Sequence, residues 1–129
     1  IGKVDDCYSQ NVRTLDEYYA AIDDGHLPTL RGLRLNADDL LRRELIGKLM
    51  CQFALNTQAF ASLHQIDFNN YFKVELAELK DLEEAGLLEW HDSTLVVPIK
   101  GRLLARRVAM TFDRHLRESQ IQGTYSKVL

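Results

Sequence analysis

The sequence predicts a mainly α-helical fold with one small β-hairpin, arranged like a winged helix with an additional N-terminal helix. Apolar residues recur at helical spacing in several stretches. Two short β-prone runs, Leu87–Trp90 and Thr94–Pro98, are separated by three polar residues, a length that suits a hairpin loop. Because so small a hairpin is stable only when it packs on helices, it is expected to form the wing.

The length and composition predict one globular core. The chain has 129 residues, of which 46% are hydrophobic. We expect residues 1–35 to form an N-terminal extension with one short helix and a linker. Residues 36–129 are expected to form the helical, winged-helix-like domain. Since the first residue is Ile1 and the opening is polar, a fragment cut from a longer protein is favoured.

The N-terminal extension is expected to begin with about ten irregular residues. Thr14 and Glu17 then have the spacing of a capping box, which predicts a helix from Leu15 to about Asp24. Gly25 can end that helix, and a linker follows over residues 26–35.

A second helix is predicted after Asn36, which can act as its N-cap. A wide apolar stripe predicts deep burial of this helix. Its members are Leu40, Leu41, Leu45, Ile46, Leu49, Met50 and Phe53. A short helix over Gln58–His64 and a long third helix from about Phe68 to Ala85 follow.

The region of Pro98 and Gly101 is expected to introduce a last long helix, with fraying after Gln120. Its predicted inward residues are Leu103, Leu104, Val108, Met110, Phe112 and Leu116. Charge separates along this half of the chain. Residues 67–92 hold eight acids against two lysines, a net −6, and residues 100–117 hold six bases against one aspartate, a net +5. We expect these segments to face each other or opposite partners.

Residue patterns give little sign of independent chemistry. The two cysteines, Cys7 and Cys51, lie far apart and are expected to be free thiols, and the four histidines lack zinc-ligand spacing. No apolar run approaches the roughly 20 residues that span a bilayer. Seven arginines could bind carboxylates, or could be surface charges and partners of the acidic helix. They are Arg31, Arg34, Arg42, Arg43, Arg102, Arg106 and Arg107.

A winged-helix outline also raises nucleic-acid binding as a function. The helix before the wing would enter the major groove, but here it lies in the segment of charge −6, which repels phosphate. Nucleic acid is therefore an unfavoured partner.

Short motifs over nearly the whole chain resemble, in order, the C-terminal region of the oxygen-independent coproporphyrinogen III oxidases. The motifs are Asp6–Asn11 (DCYSQN), Leu15–Tyr19 (LDEYY), Arg31–Leu35 (RGLRL), Asp38–Arg43 (DDLLRR) and Lys100–Leu104 (KGRLL). The Tyr8–Asn11 (YSQN) and RGLRL runs favour the oxidase branch over the related haem-chaperone proteins. Arg107 departs from the pattern, since asparagine is expected there.

This resemblance implies a cytoplasmic enzyme that decarboxylates two propionates of coproporphyrinogen III to give protoporphyrinogen IX in haem biosynthesis. It implies a [4Fe-4S] cluster and S-adenosylmethionine, both bound by a radical-SAM barrel upstream of Ile1. By itself this chain would be inactive and would bind neither cofactor.

The resemblance also suggests what the domain does within that enzyme. The domain would cover the open side of the barrel and exclude water. Candidate substrate-binding residues are Arg31, Arg34, Tyr8, Gln10 and Asn11. The alternative is a purely structural or interaction domain, as in a haem-chaperone protein.

Overall fold

The computed structural model describes residues 1–121, and it confirms a mainly helical fold with small antiparallel sheets. The chain divides into two compact units, Ile1–Leu40 and the part from Leu41 onward. They are called the N-terminal unit and the C-terminal unit below. None of the helices within residues 1–121 is long and apolar enough to cross a membrane.

The N-terminal unit contains a three-stranded antiparallel sheet and one helix. The strands are β1 (Gly2–Val4), β2 (Cys7–Asn11) and β3 (Thr29–Arg34), in the order β1-β2-β3, and helix α1 (Leu15–Asp23) lies between β2 and β3 in sequence. The expected capping box is confirmed, because the Glu17 amide donates to the Thr14 hydroxyl and the Glu17 carboxylate accepts from the Thr14 amide.

The predictions of an irregular N-terminus and of a linker over residues 26–35 were wrong. Backbone hydrogen bonds from Leu35 to the Asp6 carbonyl (2.8 Å) and from Val12 to the Pro28 carbonyl (2.9 Å) close both ends of the β2–β3 pair. Every residue of β3 is exposed, so neither face of this strand is buried. Its sequence therefore does not need the alternation of apolar and polar residues that marks a strand with one buried face, and the strand was read as a linker.

Helix α2 (Ala37–Gln52) begins in the N-terminal unit and ends in the C-terminal unit. The predicted cap is confirmed, since the Asp39 amide donates to the Asn36 side chain at 2.9 Å. Leu45 and Leu49 are fully buried, as expected, but Met50 is 39% exposed. The deep burial predicted for Met50 was therefore wrong, because the actual buried stripe is narrower than the apolar one.

The C-terminal unit continues with three strands and a series of short helices. In order these are β4 (Ala54–Asn56), α3 (Thr57–His64), α4 (Phe68–Tyr71), α5 (Lys73–Glu84), β5 (Glu89–His91), β6 (Thr94–Val96), a 3-10 helix (Ile99–Leu104), α6 (Ala105–Met110) and α7 (Arg114–Ile121).

The wing and its packing follow the predicted winged-helix outline. β5 and β6 form the expected hairpin, and β4 pairs with β6 as a third strand, giving the order β4-β6-β5. Below it lies an aromatic core in which Phe72 contacts Phe68 and Phe112, with ring centroids 4.8 and 5.5 Å apart. Leu55 of β4 and Leu95 of β6 belong to the same buried cluster as these rings, so helices and wing share one core.

Two predicted long helices are broken in the structure. The third is interrupted at Phe72, which leaves helical geometry (φ −105°, ψ 27°). The last consists of the 3-10 helix, α6 and α7, because Asp113 caps a new helix by accepting from the Leu116 amide at 3.0 Å. Leu103, predicted to face inward, is 97% exposed. The expected fraying after Gln120 falls largely on residues outside the described range.

Candidate functional site

The pairing of β2 with β3 assembles most of the candidate binding residues. Gln10 lies opposite Arg31 and Tyr8 lies opposite Leu33. Because side chains alternate along a strand, Tyr8, Gln10 and Arg31 share one face of the sheet. Residues 21 or more positions apart in sequence thereby become neighbours.

Arg31 is held in place by a side chain from the adjacent strand. Its Nε donates to Gln10 Oε1 at 2.8 Å. Gln10 is neutral, so the contact orients the guanidinium without neutralising its charge. Among residues 1–121, the Arg31 side chain makes no other hydrogen bond, and its terminal nitrogens form a fork suited to a carboxylate.

Arg34 lies on the opposite face of the sheet, paired in register with Cys7. Its Nε donates to Asp6 Oδ2 at 2.9 Å, and its side chain is 81% exposed. The hydrogen bond from Arg34 lowers the pKa of Asp6, and the same contact raises the pKa of Arg34. The charge of Arg34 is therefore already balanced, which makes Arg34 less available to a further carboxylate than Arg31.

Asn11 lies past an irregularity in the strand pairing. The register shifts between Gln10 and Asn11, so that Asn11 pairs with Thr29 and Leu30 is skipped. Asn11 is also exposed. Because of this shift, Asn11 does not follow the alternation of side chains that places Tyr8, Gln10 and Arg31 on one face of the sheet.

The hydrogen-bonding role of Asp6 was missed by sequence reasoning. Besides holding Arg34, its carboxylate accepts from Cys7 Sγ at 3.3 Å. That hydrogen bond, with some burial, raises the pKa of Cys7. The motif containing Asp6 was recognised, but no spacing rule links positions 6 and 34, because only strand pairing brings them together.

A second arginine cluster lies in the C-terminal unit and is buried. Arg42 Nη1 donates to Glu75 Oε1 at 2.6 Å and to the Phe112 carbonyl at 3.1 Å, while its guanidinium carbon lies 5.2 Å from the centre of the Phe72 ring. Arg117 also donates to Glu75, at 3.2 Å. The side chain of Glu75 is only 3% exposed.

This cluster has the contacts of a structural network. Each of its charges is satisfied by a neighbour, as the burial of charge requires. Arg117 also reaches Glu78, so the basic segment does face the acidic one. Glu75 could have been found from sequence, because it lies among Phe72, Leu76 and Leu79 on the inward side of the helix.

Metal chemistry has no visible support within the described residues. Among residues 1–121, no three His, Cys, Asp or Glu side chains are grouped as metal ligands. Cys7 is partly buried and Cys51 is exposed, and both are free thiols.

Comparison with known proteins supports one family along the chain. The family model described as the HemN C-terminal domain matches residues 35–104. Oxygen-independent coproporphyrinogen III oxidase of Synechocystis is 39% identical over all of this chain and 28% of its own length. The Escherichia coli oxidase of the same name is 34% identical over all of this chain and 28% of its own length.

A solved structure gives the same result. Coproporphyrinogen III oxidase (HemN) from Escherichia coli, described as a radical SAM enzyme, superposes with a TM-score of 0.78 at 35% identity. The match covers 85% of this chain and 25% of that one. The chain thus spans little more than a quarter of the length of these relatives.

Proposed function

The chain belongs to the HemN C-terminal domain family, and from this premise we propose that it is the C-terminal part of an oxygen-independent coproporphyrinogen III oxidase. The observation that carries the proposal is its 39% identity, along its whole length, to a relative of that name. The full enzyme would convert coproporphyrinogen III to protoporphyrinogen IX in the cytoplasm. This chain would serve that reaction without catalysing it alone.

The cofactors of that reaction would be bound outside this chain. A radical-SAM cluster needs three cysteines, and this chain contains two, one on β2 and one on α2. The residues present therefore do not fit the cluster, and we assign no catalytic step to them. Their contribution would be to bind substrate, to cover the active site and to exclude water.

Within the proposed enzyme, Arg31 is the strongest candidate for binding a substrate propionate. Its guanidinium is oriented by Gln10 yet keeps its full charge. Tyr8 lies on the same face and could donate a hydrogen bond from its hydroxyl. Arg31 and Tyr8 would together hold a propionate that is not decarboxylated. This contact would fix the position of the propionates that react.

Arg34 and Asn11 remain weaker candidates. Arg34 would have to release Asp6 or share it with the substrate. We propose that Arg34 mainly pairs with Asp6 outside the substrate site and that Asn11 lies at the rim of the substrate cavity.

Kinetics of Arg31 variants in the full-length oxidase would test this assignment. Arg31→Gln should raise KM for coproporphyrinogen III about tenfold, because a hydrogen bond between charged groups is lost. Arg31→Lys should recover only part of the affinity, since an ammonium group lacks the planar fork. The matched control is Arg13→Gln, which removes an exposed arginine outside the candidate set.

The outcomes separate the two readings of the domain. Unchanged KM and kcat in Arg31→Gln would eliminate substrate binding by this residue. A lower melting temperature with unchanged kinetics would instead support a purely structural role. Absence of oxidase activity in the unmodified full-length protein would refute the proposed function itself.

Nucleic acid is not a proposed partner. The helix that precedes the wing is α5, and its exposed residues include the acids Glu78, Asp81, Glu83 and Glu84. These charges would repel a phosphate backbone at close range.

A further inference from the structure

Arg43 on helix α2 carries a buried hydrogen-bond donor that has no acceptor in the described part of the chain. Its Nη1 is shielded from solvent and makes no hydrogen bond within residues 1–121. Over the same range, Arg43 forms no ion pair. A guanidinium keeps its charge throughout the pH range in which proteins are folded. Because burial of such a donor costs desolvation free energy that only an acceptor recovers, the position calls for an acceptor from outside these residues.

The charged residues on either side of Arg43 already have partners. Arg42, the preceding residue, donates to Glu75 at 2.6 Å. Glu44, the following residue, pairs with Lys48 at 2.9 Å, and the hydrogen bond from Lys48 lowers the pKa of Glu44. The chain therefore pairs these neighbouring charges internally, whereas Arg43 is left without a carboxylate in residues 1–121.

A carboxylate is the acceptor that fits Arg43. A guanidinium offers parallel N–H donors that match the two oxygens of a carboxylate, and an anionic acceptor also balances the charge. A structural ion pair is complete within the fold, as it is for Arg42 and Glu75. An arginine that is partly buried and lacks such a partner is instead preorganised for an anionic ligand. The substrate of the proposed enzyme supplies this group, because it carries several propionates.

We propose that Arg43 is a substrate-binding residue of the oxidase and that it holds a propionate carboxylate of coproporphyrinogen III. The inference rests on the proposed function and adds to it a binding residue from the C-terminal unit. Arg43 orients the bound substrate through an ion pair, and no bond forms or breaks at its side chain. Because the contact is present in the bound substrate as well as in the transition state, its loss raises KM and leaves kcat largely unchanged.

Ligand binding by the full-length oxidase tests the proposal. The probe is coproporphyrin III, the oxidised form of the substrate that keeps its carboxylates, and its fluorescence follows binding. Arg43→Gln should raise the Kd of this probe about tenfold, since a hydrogen bond between charged groups is lost. Arg43→Lys should recover part of the affinity. The matched control is Lys73→Gln, which removes an exposed base from another helix, α5, and should leave the Kd unchanged.

The melting temperature of the ligand-free protein separates a ligand site from a structural one. It should be the same in Arg43→Gln as in the unmodified protein, because no carboxylate of the protein loses its partner. A lower melting temperature in Arg43→Gln would overturn the proposal whatever the Kd, since it would assign Arg43 to a fixed carboxylate of the protein. An unchanged Kd in Arg43→Gln, or equal weakening in Lys73→Gln, would also contradict it.

Oxidase activity distinguishes this proposal from the proposed function. Activity in the unmodified full-length protein, together with an unchanged Kd in Arg43→Gln, would eliminate the assignment of Arg43 alone. Weaker binding of coproporphyrin III by Arg43→Gln, in a full-length protein that lacks oxidase activity, would refute the proposed function and leave the carboxylate site intact.

Discussion

The two units of this chain use arginine–carboxylate pairs in opposite surroundings. In the C-terminal unit, Arg42 and Glu75 are almost fully buried, with side-chain exposures of 12 and 3%. In the N-terminal unit, Arg34 is 81% exposed beside Asp6. A buried pair must be complete, because the loss of one partner leaves an unpaired charge in a low dielectric. An exposed pair is screened by water and contributes little to stability.

The same contrast extends to the aromatic residues. Phe72 is fully buried and contacts the rings of Phe68 and Phe112, whereas the rings of Tyr18 and Tyr19 meet edge to face and are 36 and 59% exposed. The C-terminal unit is therefore stabilised by its own core. The N-terminal unit instead leaves apolar and charged side chains exposed.

The largest loss of stability is expected when a buried aromatic residue of the C-terminal unit is replaced by alanine, and an exposed aromatic residue of the N-terminal unit serves as the comparison. Phe72→Ala should lower the free energy of unfolding by about 4 kcal/mol, through lost burial and a residual cavity. Tyr19→Ala in the 129-residue chain should change it by less than about 0.5 kcal/mol, because the ring is exposed. Urea unfolding followed by circular dichroism measures both. Similar losses for the two variants would contradict the contrast.

Removing one member of the buried ion pair should have the next largest effect. Glu75→Ala removes the buried carboxylate that accepts from both Arg42 and Arg117 and should destabilise the chain by about 3 kcal/mol. The control Glu78→Ala removes a half-exposed partner of Arg117 and should cost less than about 1 kcal/mol. Chemical denaturation of both variants compares them directly. Equal midpoints would show that burial of Glu75 adds nothing.

The smallest effect is expected at the exposed pair of Arg34 and Asp6, and it concerns the reactivity of the neighbouring Cys7 thiol. Asp6 accepts from the Cys7 thiol, which raises the pKa of Cys7, so this thiol should react more slowly with iodoacetamide at pH 8 than Cys51. Asp6→Asn should accelerate alkylation of Cys7 several-fold by lowering its pKa. Cys51 in the same sample serves as the internal control. Unchanged rates at Cys7 would show that Asp6 does not control this thiol.

The pair also has a defined pH dependence. The hydrogen bond to Arg34 lowers the pKa of Asp6 in the folded protein. The stabilisation that this hydrogen bond gives the folded protein is therefore fully present above the ordinary pKa of aspartate, about 4. It is lost as the pH falls through the lower folded value. No such loss affects the contact between Arg31 and Gln10, which has no titrating partner near that pH.

Prediction from sequence succeeded where the signal is local. The capping box of α1, the cap of α2 and the hairpin of the wing each depend on residues a few positions apart. The sheet of the N-terminal unit was missed because two of its three strands, β1 and β3, are exposed on both faces. β4 was missed because three residues give too short a pattern. Leu103 was misplaced because apolar periodicity cannot tell a buried leucine from an exposed one.

The candidate site was only partly accessible from sequence. The motifs singled out Tyr8, Gln10, Arg31 and Arg34, but could not say which of them are neighbours. The register of β2 and β3 separates Arg31 from Arg34 onto opposite faces and gives each a different partner. That difference in charge balance favours Arg31.

By itself the sequence determined the helical, winged-helix-like class and the family resemblance, because both rest on local periodicity and on ordered short motifs. Only the tertiary structure decided which charges are buried, which arginines keep their charge available, and which apolar residues remain exposed. These properties depend on contacts between residues such as Asp6 and Arg34, or Arg42 and Glu75, that lie 28 or more positions apart. The free energy of such contacts depends on burial and register, and neither is encoded in the spacing of any one segment.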